Sequence, residues 1–260
     1  PPIPRSPRVH QQCRECSLCC RARTAVARRM TGLLHYPGSM REDYTHQLDE
    51  VNRDLVMMSE LVGTAIAGAT TSLLTGDLNL AQSVIDADAR INELNVEVEE
   101  SCFRIAARQA PVASDLRLVM SAVRMASSLE RMGDLASHVA KQVRLRYPSS
   151  TIPEELKTTF AEMGEAAKQI VSATGRVIET RDTDLAREIR HYDDKLDDLH
   201  RMLFTAVLSP EWKHGVEAAI DITLLSRFYE RFGDHAVTVA RRVVHIVTGE
   251  PYGAIHTDAS

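Results

Sequence analysis

The chain has 260 residues, 44% of them hydrophobic but only 5% aromatic, which allows one large or two small domains and suits aliphatic helix bundles. Its net charge of −5 conceals an asymmetry: residues 1–39 hold seven arginines and one glutamate, which leaves −11 for the remaining 221 residues. An acidic body disfavours nucleic acid as a main partner and favours cations or basic protein surfaces.

The first segment also holds Cys13, Cys16, Cys19 and Cys20, so Cys102 is the single cysteine of the body. One unpaired cysteine there points to a reducing compartment. The cluster can be read as a zinc knot, but its Pro/Arg-rich surroundings lack apolar periodicity and offer no second CxxC pair at a ribbon-like distance. Residues 1–39 are therefore expected to be a disordered or non-native extension ahead of a start at Met40. No apolar run reaches the roughly 18 residues of a membrane span, and the leader lacks a secretory h-region. The expectation is a cytoplasmic protein without direct membrane insertion.

Helix 1 is predicted from about Asp43 to Thr75, on apolar positions Leu48, Val51, Leu55, Met58, Val62 and Ile66. Gly76-Asp77 breaks it, and helix 2 runs through Leu80, Val84, Ile91, Leu94, Val98 and Ile105 to a stop before Pro111. Ser114 and Asp115 can cap helix 3, which ends near Tyr147-Pro148. Residues 148–153 read as a polar linker. Helix 4 opens at Pro153-Glu154-Glu155 and passes through Ile170, Val177 and Ile178; helix 5 follows Asp182 to about Leu208. Helix 6 spans about Val216 to Gly249, and 251–260 form a tail. The fold class expected is all-α, two tandem three-helix bundles over 40–147 and 154–250.

The second bundle repeats the first. Glu130-Arg131-Met132-Gly133-Asp134 returns as Glu230-Arg231-Phe232-Gly233-Asp234, and eight of the fourteen positions from 130 to 143 match those from 230 to 243. Asp77 and its successors are echoed at Asp182 with an offset of 105. A glycine inside a helix costs about 1 kcal/mol relative to alanine, so Gly133 and Gly233 predict a neighbouring backbone or ligand that comes close.

Glu130 and Asp134 share a helix face, as do Glu230 and Asp234. The 105 offset lays Asp88 on Asp193 and Asn92 on Asp197, so each bundle can converge four oxygen side chains from two helices. Such donor sets suit iron, manganese, magnesium or calcium better than copper. His138, one turn beyond Asp134, can add a nitrogen, whereas His235 points elsewhere. The competing reading is a solvated acidic face in which Glu130 pairs with a neighbouring arginine. Asn92 makes the first set less charged than the second, and the second is expected to hold a hard cation more tightly.

Asp115-Leu116-Arg117 has no counterpart in the second half and reads as a capped helix start with an exposed arginine. Met57, Met58, Met120, Met125 and Met132 read as core filler. No Gly-rich phosphate loop, GxSxG or HExxH occurs, and no residue is marked as a nucleophile. The sequence therefore favours a non-enzymatic adaptor over a carboxylate-bridged metalloenzyme, an oxidase or phosphatase, whose bundles typically use Glu-x-x-His pairs.

From about 43 to 249 the chain resembles the PhoU family of phosphate-signalling proteins. The resemblance rests on Gln109-Ala110-Pro111-Val112-Ala113-Ser114-Asp115-Leu116-Arg117, on Leu129 to Ala140, on Tyr229 to Ala240 and on the tandem three-helix plan. It implies a cytoplasmic, often dimeric regulator that represses the phosphate-starvation response while phosphate is plentiful. Such a protein acts between the ATPase of the high-affinity phosphate ABC transporter and a sensor histidine kinase. It also implies iron or zinc clusters at E/DxxxD motifs, which fall here on Asp88, Asn92, Glu130 and Asp134, and on Asp193, Asp197, Glu230 and Asp234.

Overall fold

Helix breakers and apolar periodicity together divide the chain as the sequence predicts, in a computed structural model whose described residues are 37–109 and 111–250. The helices are α1 (Pro37–Thr75), α2 (Leu78–Gln109), α3 (Ser114–Arg146), α4 (Lys157–Thr180), α5 (Thr183–Val207) and α6 (Gly215–Thr248), with a 3-10 turn at Glu154–Leu156 before α4. No strand occurs among the described residues. The cysteine cluster and the 251–260 tail lie outside them, as does the reading of the leader as an extension, except that α1 already begins at Pro37. A proline is well suited to a first helical turn, where its missing N–H has no partner to lose.

The duplication is visible in the turns. Asp77 Oδ1 accepts the N–H groups of Asn79 at 2.9 Å and Leu80 at 3.0 Å, and Asp182 Oδ1 those of Asp184 at 2.9 Å and Leu185 at 3.1 Å. Each caps the helix that follows. The residue before each cap is left-handed, with φ 72° at Gly76 and φ 56° at Arg181.

The start of α3 departs from expectation. Ala113 occupies the cap position with φ 48° and no side-chain hydrogen bond. Asp115 lies inside the first turn, where it accepts the Tyr44 hydroxyl at 3.0 Å. That tertiary bond replaces a local cap. Arg117 is half-buried rather than exposed. Its guanidinium carbon would be 3.4 Å from a Cβ at Gly249, which sets the cation against the carbonyl end of α6, where the helix dipole favours it.

Within 44–250, α2 packs along α3, α5 along α6, and α3 along α6. The last pair is antiparallel. Arg117 meets Gly249, the His138 ring lies 5.4 Å from the Phe228 ring, and Arg146 reaches Glu217 and Asp221. The two ERxGD segments therefore oppose each other midway along this seam. Helices α1 and α4 close the other side: a Cβ on Gly164 would come within 2.3 Å of Thr70 Cγ2, and one on Gly175 within 2.5 Å of Ser59 Oγ.

One apolar core runs through both helix triplets, from Leu55 and Met58 through Leu129 and Met132 to Phe160, Ile170 and Phe232. Tyr229 is fully buried in it, its hydroxyl 2.8 Å from Thr70 Oγ1. Thr151 and Ile152, in the connection between the triplets, are also buried. Met58, Met125 and Met132 fill the core as expected, whereas Met57 and Met120 are exposed on the opposite faces of their helices. Residues 42–75 do contain a window long and apolar enough to cross a membrane, contrary to the sequence reading; half of that window is buried against other helices, as in a core helix.

Candidate metal centres

The glycines act as windows in the helix surface. At Gly133 a Cβ would lie 2.9 Å from Ile91 Cδ1 and 3.1 Å from Asp88 Oδ1; at Gly233 it would lie 2.3 Å from Asp193 Oδ1 and 3.0 Å from Leu196 Cδ1. The close neighbours anticipated from the sequence are thus side chains of the preceding helix, Ile91 with Asp88 in the first half and Asp193 with Leu196 in the second. Each aspartate leans over a helix that has no side chain at that point, and Asp88 Oδ1 and Asp193 Oδ1 are buried without a hydrogen-bond partner. Leaving such an oxygen unpaired costs about 1–3 kcal/mol or more for a charge.

In the first half, burial and then Asp134 push the Asp88 carboxyl above its ordinary range. Glu130 is raised by burial, by Asp134 and by Asp88, with Arg131 opposing. Arg131 lies 2.9 Å from Asp134 Oδ2 and 3.6 Å from Glu130 Oε2. Asn92 is exposed. His138 is near enough to Asp88 to favour its charged form, although its ring also lies against Phe228 of α6.

The second half is more acidic. Burial, then Asp197 and Asp234, push Asp193 up to about 7. Asp197 is raised by burial and by Asp234, and Glu230 by burial and by Asp234 against the pull of Arg227. Glu230 Oε1 is ion-paired to Arg227, while its Oε2 is buried and unpartnered. Asp234 is exposed. His235 is half-buried and held below its ordinary pKa by burial, then by Arg231 and, more weakly, by Arg131 across the seam, so it belongs to the helix interface and not to the carboxylate set.

Asp88, Glu130 and Asp134 are thus brought together, and so are Asp193, Asp197, Glu230 and Asp234; nothing draws Asn92 into its group. Among the described residues no three such side chains are placed to hold an ion as they stand, and Arg131 and Arg227 already occupy some of the oxygens. The unpartnered oxygens and the like-charge crowding nevertheless make each set a poor arrangement without a counter-charge, and carboxylate oxygens are the donor type that hard cations prefer. The sequence reading missed His200, whose Nδ1 lies 2.9 Å from the buried Ser226 Oγ. Its signal was present: it follows Asp197 by three residues on the same helix face, where the first half has Asn95.

A raised carboxylate has a definite pH signature. Asp193 ionises at 3.8 ordinarily and at about 7 in the folded chain, so the stability it contributes is complete below pH 3.8 and lost as pH rises through about 7. In chelator, Asp193→Asn should raise Tm at pH 8, by roughly 2–4 °C for each kcal/mol of crowding relieved, and flatten the decline between pH 4 and 7. Thermal melts across that range check this; an unchanged pH profile would show that Asp193 is not the titrating group.

The family model described as the PhoU domain matches residues 55–143 and 160–243, one stretch in each half. The chain is 50% identical over 210 residues to the phosphate-specific transport system accessory protein PhoU homolog 2 of Mycobacterium tuberculosis, across 81% of this chain and 99% of that protein. The crystal structure of PhoU from Pseudomonas aeruginosa matches with a TM-score of 0.70 at 30% identity, over 80% of this chain and all of that one, 100%. The crystal structure of the phosphate transport system regulatory protein PhoU from Streptococcus pneumoniae matches with a TM-score of 0.72 at 25% identity, over 80% and 98% of the two chains. With both halves matched and a relative this similar along almost its whole length, the chain belongs to the PhoU family.

Proposed function

We propose that this chain is an accessory regulator of a phosphate transport system. It works in the cytoplasm as a dimer, between the transporter ATPase and a sensor histidine kinase, and represses the phosphate-starvation response when phosphate is plentiful. The observation that carries this reading is the 50% identity, over 99% of its length, to a protein named as an accessory of phosphate-specific transport. Asp88, Glu130 and Asp134, and more strongly Asp193, Asp197, Glu230 and Asp234, would each hold a hard cation, iron, manganese or magnesium, or zinc; such an ion would supply the counter-charge that the unpartnered oxygens lack. Arg131 and Arg227 would have to give up their carboxylates when it binds.

Deletion of the gene from its host should derepress a phosphate-starvation reporter in high phosphate by tenfold or more, and the full chain supplied in trans should restore repression. Tagged transporter ATPase should carry the chain with it through purification. A reporter that stays repressed without the protein would contradict the proposed role.

A further inference from the structure

A second feature of the α5/α6 groove has the opposite charge. Between the first turns of α5 and the last turns of α6 lies a cavity of about 400 Å³, lined by Ala186, Arg187, Arg190, Val237, Arg241, Val244 and Glu250. Three guanidinium groups around one concavity are unusual in a body that is otherwise acidic. The duplication shows that the fold does not require them: the positions equivalent to Arg187 and Arg190 are Gln82 and Ile85, and in the first half Arg144 spends a donor on Gln82 Oε1 at 3.2 Å.

Arg190 is exposed and makes no hydrogen bond or ion pair among the described residues. Arg187 is held only by Asp184 at 2.7 Å, a pair with side chains 59% and 87% exposed, and such pairs are worth little and exchange readily. Both arginines are therefore available to an incoming anion. Glu250 is the one carboxylate on the rim, and it tells against a ligand that fills the whole cavity with negative charge. Ala186, Val237 and Val244 provide apolar wall instead.

We propose that this cavity binds a small organic phosphate. A planar guanidinium fork matches phosphoryl oxygens two at a time, and a volume of about 400 Å³ lies in the range of small-molecule sites. Arg187 and Arg190 would take the phosphoryl groups, and the apolar wall a sugar- or base-sized body. The assignment is independent of cation binding at Asp193 and its partners, which begin one turn further along α5.

The test is calorimetric titration of the full chain, in chelator at low ionic strength, with ATP and with inorganic pyrophosphate as probes. ATP should bind saturably with one site per chain, more tightly than pyrophosphate. Arg187→Gln/Arg190→Gln should weaken it at least tenfold while leaving Tm unchanged, since neither side chain is buried. Lys141→Gln, at the first-half position equivalent to Arg241, should change nothing. The proposal is overturned if ATP fails to saturate at millimolar concentration, if pyrophosphate binds as tightly, if the double variant binds equally well, or if Lys141→Gln weakens binding as much.

Discussion

Gly164→Ala should be among the most damaging small substitutions in the chain, destabilising it by about 1–3 kcal/mol although alanine is the better helix former by about 1 kcal/mol. The added methyl would lie 2.3 Å from Thr70 Cγ2, 2.7 Å from its Oγ1 and 2.9 Å from its Cβ. Thr70 cannot step aside. It is buried, β-branched, and bonded through its hydroxyl to the Ile66 carbonyl at 2.8 Å and to Tyr229 at 2.8 Å. The backbones of α1 and α4 must separate, and the Tyr229 hydroxyl risks losing its partner in a fully buried site. Denaturant unfolding would show a lower midpoint. Partial recovery by the second change Thr70→Ser, which removes the nearest clashing atom, Cγ2, and keeps the hydroxyl that bonds Tyr229, would assign the loss to this contact.

Arg146→Ala is the other large effect. Asp221 is 4% exposed and accepts from Arg146 Nε at 2.6 Å, from Arg146 Nη2 at 2.9 Å and from Gln142 Nε2 at 2.6 Å. Arg146 also pairs with Glu217. Its removal leaves a buried carboxylate with one neutral donor, and breaking one side of such a pair costs about 3–5 kcal/mol. Because the arginine side chain is 26% exposed, the lower end is expected, near 3 kcal/mol or about 6–12 °C in Tm. Asp221→Leu combined with Arg146→Met should recover most of it, since replacing both partners by apolar groups removes the stranded charge. A double variant as unstable as the single one would show that the pair is not the cause.

These two contacts mark the limit of what the sequence reveals. Six helices follow from periodicity because each buries a stripe against two neighbours, and the Asp77 and Asp182 caps follow from the local chemistry of a short carboxylate before a helix. The glycines of the ERxGD motifs were legible as points of close approach, since no local preference explains them. What approaches was not legible: it is Ile91 with Asp88 in the first half and Asp193 in the second, and only three-dimensional register puts Asp193 over Gly233.

The antiparallel α3/α6 seam was equally hidden. Its clamp joins Gln142 and Arg146 to Asp221, and the duplicated positions carry Arg242, Ile246 and Ser121, so the repeat itself gives no hint of it. At Ser114-Asp115 a local rule was legible and lost, because the Tyr44 hydroxyl draws Asp115 into a tertiary bond. Met57 and Met120 were assigned to the core by residue type alone, and both are exposed.

The most direct test of the duplicated carboxylate sets is titration of the full chain with Mn²⁺, followed by calorimetry, beside Glu230→Ala and Gly233→Ala. Two classes of site are expected, the tighter one on α5 and α6. Glu230→Ala should remove that class and leave the weaker, and Gly233→Ala should weaken it by displacing Asp193, whose carboxylate oxygen would be 2.3 Å from the new methyl. Asn92→Asp should strengthen the weaker class. No saturable binding, equal or reversed affinities, or a tight site that survives Glu230→Ala would contradict the account.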